Sequence, residues 1–150
     1  MMVSEQTGRD ATLQNYLSET EEFGQLILIT GGAYQGKSGF AQQLVRELNR
    51  ESGQQEPGMQ ENMHWTILED VHLRIAEMLR ADRDPWEEIQ SLIKKESRLI
   101  LTVQELGCGI VPVDAFDREW REVTGRICCE LAKRAQAVYR MTCGIPARLK

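Results

Sequence analysis

The chain has 150 residues, of which 41% are hydrophobic and 27% charged, and a formal net charge of −5. That suits a single soluble domain able to bury about two-thirds of its extended-chain surface. The acidic balance argues against a protein that wraps nucleic acid, which needs a basic face, and no apolar run nears the ~20 residues that cross a bilayer.

Residues 1–23 form a polar, acidic leader, unlike a secretory signal or a transit peptide, with Leu13, Tyr16 and Leu17 on one face of a short helical stretch. It reads as an extension of the domain that occupies 24–150. Residues 25–30, QLILIT, are a continuous apolar run ending in glycines, the pattern of a strand covered on both faces in a parallel sheet. Phe40, Ala41, Leu44, Val45 and Leu48 then recur at helical spacing, which predicts an amphipathic helix over 37–50. Residues 51–63 are polar, hold Gly53, Pro57 and Gly58, and read as a loop. A short strand over 64–69, a helix over 71–80, and a helix begun by Asp84 and Pro85 follow. RLILTVQ, residues 98–104, is the third strand. Asp114 is placed to cap a long helix carrying Phe116, Trp120, Val123, Ile127 and Leu131. AVYRMT is a fourth strand, and a turn leads into a short terminal one. Alternation with spacers of this length predicts an α/β fold, a mostly parallel sheet flanked by helices.

Between the first strand and the first helix, Gly31, Gly36, Lys37 and Ser38 fit G-x-x-x-x-G-K-[ST] without a gap. Such a loop lets backbone N–H groups approach phosphate oxygens, and the next helix aims its positive end at the same anion. Gly31, Gly32, Ala33, Tyr34, Gln35, Gly36, Lys37 and Ser38 are therefore the expected nucleotide-binding residues. Lys37 would reach the β and γ phosphates of ATP or GTP, and Ser38 would ligate the Mg2+ that bridges them. Glu69 and Asp70 close the second strand at the same edge. They are candidate metal partners, Glu69 ahead of Asp70, or else acids that begin the next helix. Glu105, after the third strand, could accept a proton from a substrate hydroxyl or hydrogen-bond its own turn. Gly125 inside the long helix suggests close packing against it. Arg126 beside it is a candidate phosphate contact, though its spacing leaves it equally free to face solvent. His64 and His72 read as structural or exposed, and Trp86 and Trp120 as core. Cys128 and Cys129 read as small buried hydrophobes. The four cysteines (Cys108, Cys128, Cys129 and Cys143) show no zinc-site spacing and fit reduced thiols of a cytoplasmic protein.

Several of these stretches resemble one family. Thr30 to Ser38 fit its T-G-G-x-x-x-G-K-S loop. Glu105, Gly107, Gly109, Ile110, Val111 and Pro112 fit an N-E-V-G-x-G-I-V-P element, Gly125 and Arg126 a G-R-x-N pattern, and Gly144 and Ile145 a strand end. The family is the adenosylcobinamide kinase/adenosylcobinamide-phosphate guanylyltransferase of cobalamin biosynthesis, and the resemblance covers about two-fifths of the chain. It implies a P-loop NTPase fold with a RecA-like, mostly parallel sheet, a short antiparallel C-terminal strand, and a trimer. It also implies phosphoryl transfer from ATP or GTP to a corrinoid hydroxyl; on the residue reading above, Lys37 and Glu105 are the expected catalytic residues. Glu69 best matches the family's metal-binding acid, while a rival alignment sets HWTILE on a W-x-T-x-E segment further upstream. The sequence departs from the pattern at Gln104 and Cys128, where the family has Asn. It has no histidine between Gly39 and Met63, where the family carries its guanylyl group. The kinase step is therefore expected without the guanylyltransferase step. Two alternatives are a nucleotide-binding relative without turnover, acting as partner or regulator, and a kinase for another small molecule.

Overall fold

In the computed structural model, residues 24–53, 64–107 and 109–150 are described. The leader 1–23 and most of the expected loop, residues 54–63, lie outside them. Five strands form one sheet in the order β2-β3-β1-β4-β5, made of β1 (Gln25–Gly31), β2 (Thr66–Leu68), β3 (Arg98–Gln104), β4 (Ala137–Thr142) and β5 (Ile145–Arg148). The first four are parallel, and β5 turns back antiparallel on β4. The helices are α1 (Lys37–Ser52), α2 (Val71–Arg80), α3 (Pro85–Lys95) and α4 (Ala115–Arg134). This is the mostly parallel α/β architecture expected, with the expected C-terminal antiparallel strand. Among the described residues no helix is long and apolar enough to cross a membrane.

Strand alternation divides the core into two layers. Leu26, Leu28, Leu99, Leu101, Val103 and Val138 face α2, α3 and α4, where they meet Val71, Ile75, Ile89, Ile93, Ile127 and Leu131. Ile27, Ile29, Ile100 and Met141 face the opposite side, covered by α1 through Phe40, Ala41, Leu44 and Val45. Central β1 and β3 are therefore apolar on both faces, which is why their sequences run without alternation. The second strand is shorter than the expected 64–69. Trp65 is not paired in the sheet; the Asn49 amide of α1 holds it, accepting from its N–H at 2.8 Å and donating to its carbonyl at 3.3 Å.

Connections from β1 and β3, which are neighbours, leave in opposite directions. The segment after β1 crosses one face through α1 toward β2, and the segment after β3 crosses the other through α4 to β4. A crevice at the carboxyl ends of these strands follows from that reversal.

Two helices begin as expected. Asp84 accepts from the N–H groups of Trp86 and Glu87, and Asp114 from those of Phe116 and Asp117. Gly125 is a correction: a Cβ built there meets nothing within 4 Å, so no close packing requires the glycine. Cys129 is exposed rather than buried. With open space at position 125, Gly125→Ala should add about 1 kcal/mol of stability through helix propensity alone. Urea denaturation checks this; a loss of stability would mean that the glycine is needed by the fold.

Candidate functional site

The phosphate loop leaves β1 through two backbone conformations that favour glycine. Gly31 has φ 153°, and a Cβ there would lie 2.8 Å from the Met141 carbonyl of neighbouring β4. Gly36, at the N-cap of α1, has φ 92° and offers no side-chain cap. Phe40 N–H is the first to bond back into the helix, to the Gly36 carbonyl at 3.1 Å. The N–H groups at the start of α1 therefore have no carbonyl one turn earlier to bond within the helix. Inside the loop the Lys37 ammonium, on a residue only 8% exposed, donates to the Gly32 carbonyl at 2.6 Å. Burial pushes Lys37 below the usual lysine range, and the carboxylates of Asp70 and Glu105 partly offset that. The loop is also tied to the β4–β5 turn, with Gln35 accepting from Cys143 N–H through its side chain at 2.7 Å and from Gly144 N–H through its carbonyl at 3.0 Å.

Residues 33–39 of this loop line a cavity of about 760 Å³, facing Asp70, His72, Leu73 and Gln104. Ala33, Tyr34, Gln35, Gly36, Lys37 and Ser38 are thus gathered as expected. Gly31 and Gly32 shape the loop from behind. The acid that joins them is Asp70 rather than Glu69. Strand β2 pairs with β3 on one side only among the described residues; Glu69 and Asp70 just past its end are both exposed, and only Asp70 lines the cavity. Asp70 then takes a left-handed conformation, φ 54°, that turns the chain into α2. Its N–H donates to the buried Thr102 hydroxyl of β3 at 3.0 Å, which fixes that turn to the central sheet. Helix α2, like α1, begins without a side-chain cap.

His72 is the residue that sequence reasoning undervalued. It is 4% exposed and lines the cavity. Its Nδ1 accepts from Gln104 N–H at 3.2 Å, and its carbonyl accepts from the Trp120 indole at 2.7 Å. The signal in the sequence is its helical spacing to buried Ala76, one position away from the helix's obvious apolar stripe. Burial, opposed by Asp70 and reinforced by Lys37, lowers the His72 pKa from its ordinary 6.5.

Two expected site residues lie elsewhere. Both oxygens of Glu105 accept from the Arg140 guanidinium, at 2.8 and 3.0 Å, and Glu105 lines a neighbouring cavity instead. Arg126 is not at the phosphate loop. It falls off the buried stripe of Thr124, Ile127 and Leu131, and pairs with Glu122 at 2.5 Å on the outer face of α4. An i,i+4 pair of this kind is a surface feature worth a few tenths of a kcal/mol.

A lowered His72 pKa has a definite sign in stability. Above pH 6.5 the imidazole is neutral folded and unfolded; below it the unfolded protein binds the proton first, so stability falls as pH drops. Thermal midpoints measured from about pH 7.5 to about pH 5 should therefore decline, and His72→Gln should flatten that part of the decline. An unchanged slope in the variant would contradict the buried neutral imidazole.

Comparison with known proteins bears on most of the chain. The sequence model of the family described as cobinamide kinase / cobinamide phosphate guanyltransferase matches residues 54–149. The bifunctional adenosylcobalamin biosynthesis protein CobU of Escherichia coli is 26% identical over 182 aligned positions, covering 83% of this chain and 99% of that protein. Those positions outnumber the 150 residues present here, so part of that relative has no counterpart. The Salmonella typhimurium protein of the same name is 34% identical over 68 residues, 43% of this chain and 38% of that one. With the family match spanning more than half its length, the chain belongs to the cobinamide kinase / cobinamide phosphate guanyltransferase family, as a shortened member.

Proposed function

We propose that the protein binds ATP or GTP with Mg2+ at the phosphate loop and transfers the terminal phosphoryl group to a hydroxyl of a cobinamide-type corrinoid. The observation that carries this reading is the meeting, in one cavity, of the uncapped start of α1, Lys37 and the Asp70 carboxylate. Lys37 would exchange its contact with the Gly32 carbonyl for phosphate oxygens, which are stronger partners for an ammonium. The N–H groups opening α1 would hold the same oxygens. Ser38 and Asp70 supply the hard oxygen donors that suit magnesium, which draws its other ligands from phosphate and water. Bound there, the ion would neutralise charge on the phosphate oxygens as the terminal group leaves.

Glu105 is the proposed proton acceptor. Two hydrogen bonds from the Arg140 guanidinium, at 2.8 and 3.0 Å, fix its direction. Phosphoryl transfer, with its loose transition state, asks more of positioning than of proton removal. The acceptor hydroxyl would lose its proton to Glu105 as its oxygen bonds to phosphorus and the bond to the nucleoside diphosphate breaks. The proposal stops at phosphoryl transfer. No histidine stands between Gly39 and Met63, and His72 has its Nδ1 committed to Gln104. The Arg140 pairing also favours a second reading, a relative that holds nucleotide without turning it over.

Calorimetric titration with Mg–ATP and Mg–GTP tests the first step. Lys37→Ala should lose about 2–5 kcal/mol, roughly 30-fold or more in affinity. Asp70→Asn should weaken the Mg2+ dependence, and Glu69→Gln should leave it unchanged. No binding by the unmutated protein would overturn both readings. Labelled γ-phosphate with adenosylcobinamide then separates them: a labelled corrinoid supports the kinase, and binding without transfer supports the silent relative.

A further inference from the structure

A second cavity, of about 270 Å³, lies between the carboxyl end of β3 and the middle of α4. It adjoins the first, because Gln104 lines both. Val103, Leu106 and Cys128 give it apolar walls, and Glu105 lines it as well. Two consecutive residues of α4 shape it in ways that do nothing for the fold. Gly125 faces open space where a side chain would project, although alanine would make the better helix. Thr124 is 1% exposed, yet its hydroxyl has no hydrogen-bond partner among the described residues. A helical threonine usually bonds the carbonyl one turn back, and a covered hydroxyl left unpaired is unfavourable. Glu105 lines this cavity and acts electrostatically on both Lys37 of the phosphate loop and the Cys128 thiol.

We propose that this cavity seats the hydroxyl-bearing arm of the phosphoryl acceptor, a short aliphatic alcohol, with Gly125 leaving the room and Thr124 supplying a hydrogen bond. The size decides the class: ligand pockets usually run about 300–1,000 Å³, so this one excludes a macrocycle and admits an arm of a few carbons. Apolar walls take the methylene and methyl groups. The Thr124 hydroxyl reaches the guest by a change of χ1, which threonine in helices populates in two wells. Glu105 then meets the reacting hydroxyl on the side that faces Lys37. The inference rests on the kinase reading but concerns different residues.

Gly125→Leu fills the cavity, and Thr124→Val removes the hydroxyl at nearly constant volume. With cobinamide as acceptor, Gly125→Leu should raise KM at least about tenfold, as filling a methylene-sized space does. Thr124→Val should raise KM about threefold or more, with kcat little changed and the thermal midpoint equal or higher, since the orphaned hydroxyl is gone. Nucleotide affinity, by titration, should stay within about twofold of the unmutated value for both. Unchanged KM in both variants would overturn the proposal, as would an equal loss of nucleotide affinity. If the unmutated protein shows no turnover, the kinase reading fails separately. The cavity is then judged by corrinoid absorbance on titration with cobinamide: binding that Gly125→Leu abolishes supports it, and binding unaffected by Gly125→Leu, or none, overturns it.

Discussion

Strands β1 and β3 end level with one another. Gly31 pairs in register with Gln104, and the next residue, Glu105, donates its N–H to the Gly31 carbonyl at 3.0 Å. From that junction the backbone leaves in two directions, so the phosphate loop and the Glu105 turn open on one edge of the sheet. A slip of one residue in this pairing would turn Gly31 away from the Met141 carbonyl, where no side chain fits, and would reverse every buried residue of β1. The close approach of Gly31 to Met141, where a Cβ would lie 2.8 Å from the carbonyl, is what opposes the slip. Close packing thus sets the position of the site.

The helices divide by function as well as by face. Helices α3 and α4 begin with Asp84 and Asp114, whose carboxylates satisfy the first N–H groups. Helices α1 and α2 begin with Gly36 and Asp70, both left-handed and neither bonding its own helix through a side chain. These two uncapped starts border the same cavity. Capping residues contribute about 1 kcal/mol each to stability, and forgoing them leaves donors for an anion. The Thr102 hydroxyl and the His72 ring brace the α2 side of this arrangement through Asp70 N–H and Gln104 N–H.

Much of this is legible in the sequence, because it depends on local patterns. Uninterrupted apolar runs mark β1 and β3, Asp followed by an apolar stripe marks the capped helices, and the spacing of Gly31, Gly36, Lys37 and Ser38 marks the loop. What the sequence hides depends on directions that no spacing encodes. Choosing Asp70 over Glu69 requires the left-handed turn that rotates one acid toward the loop. Placing Arg126 requires its angle about α4, where Glu122 pairs with it. The Glu105–Arg140 pair joins residues 35 apart in sequence across two strands, and nothing near either residue announces the other. The family model matches residues 54–149, beyond the phosphate loop, while the alignment to the Escherichia coli relative covers 83% of the chain and so reaches into the loop as well.

The central claim is that the backbone amides opening α1, with Lys37 behind them, hold a polyphosphate. Backbone amide chemical shifts, followed by NMR while Mg–ATP or Mg–GTP is added, report on those groups directly. The account predicts saturable shifts at Gly36, Lys37, Ser38 and Gly39, larger than those anywhere on the outer face of α4. Shifts absent from that loop, or confined to other parts of the sheet edge, would contradict it.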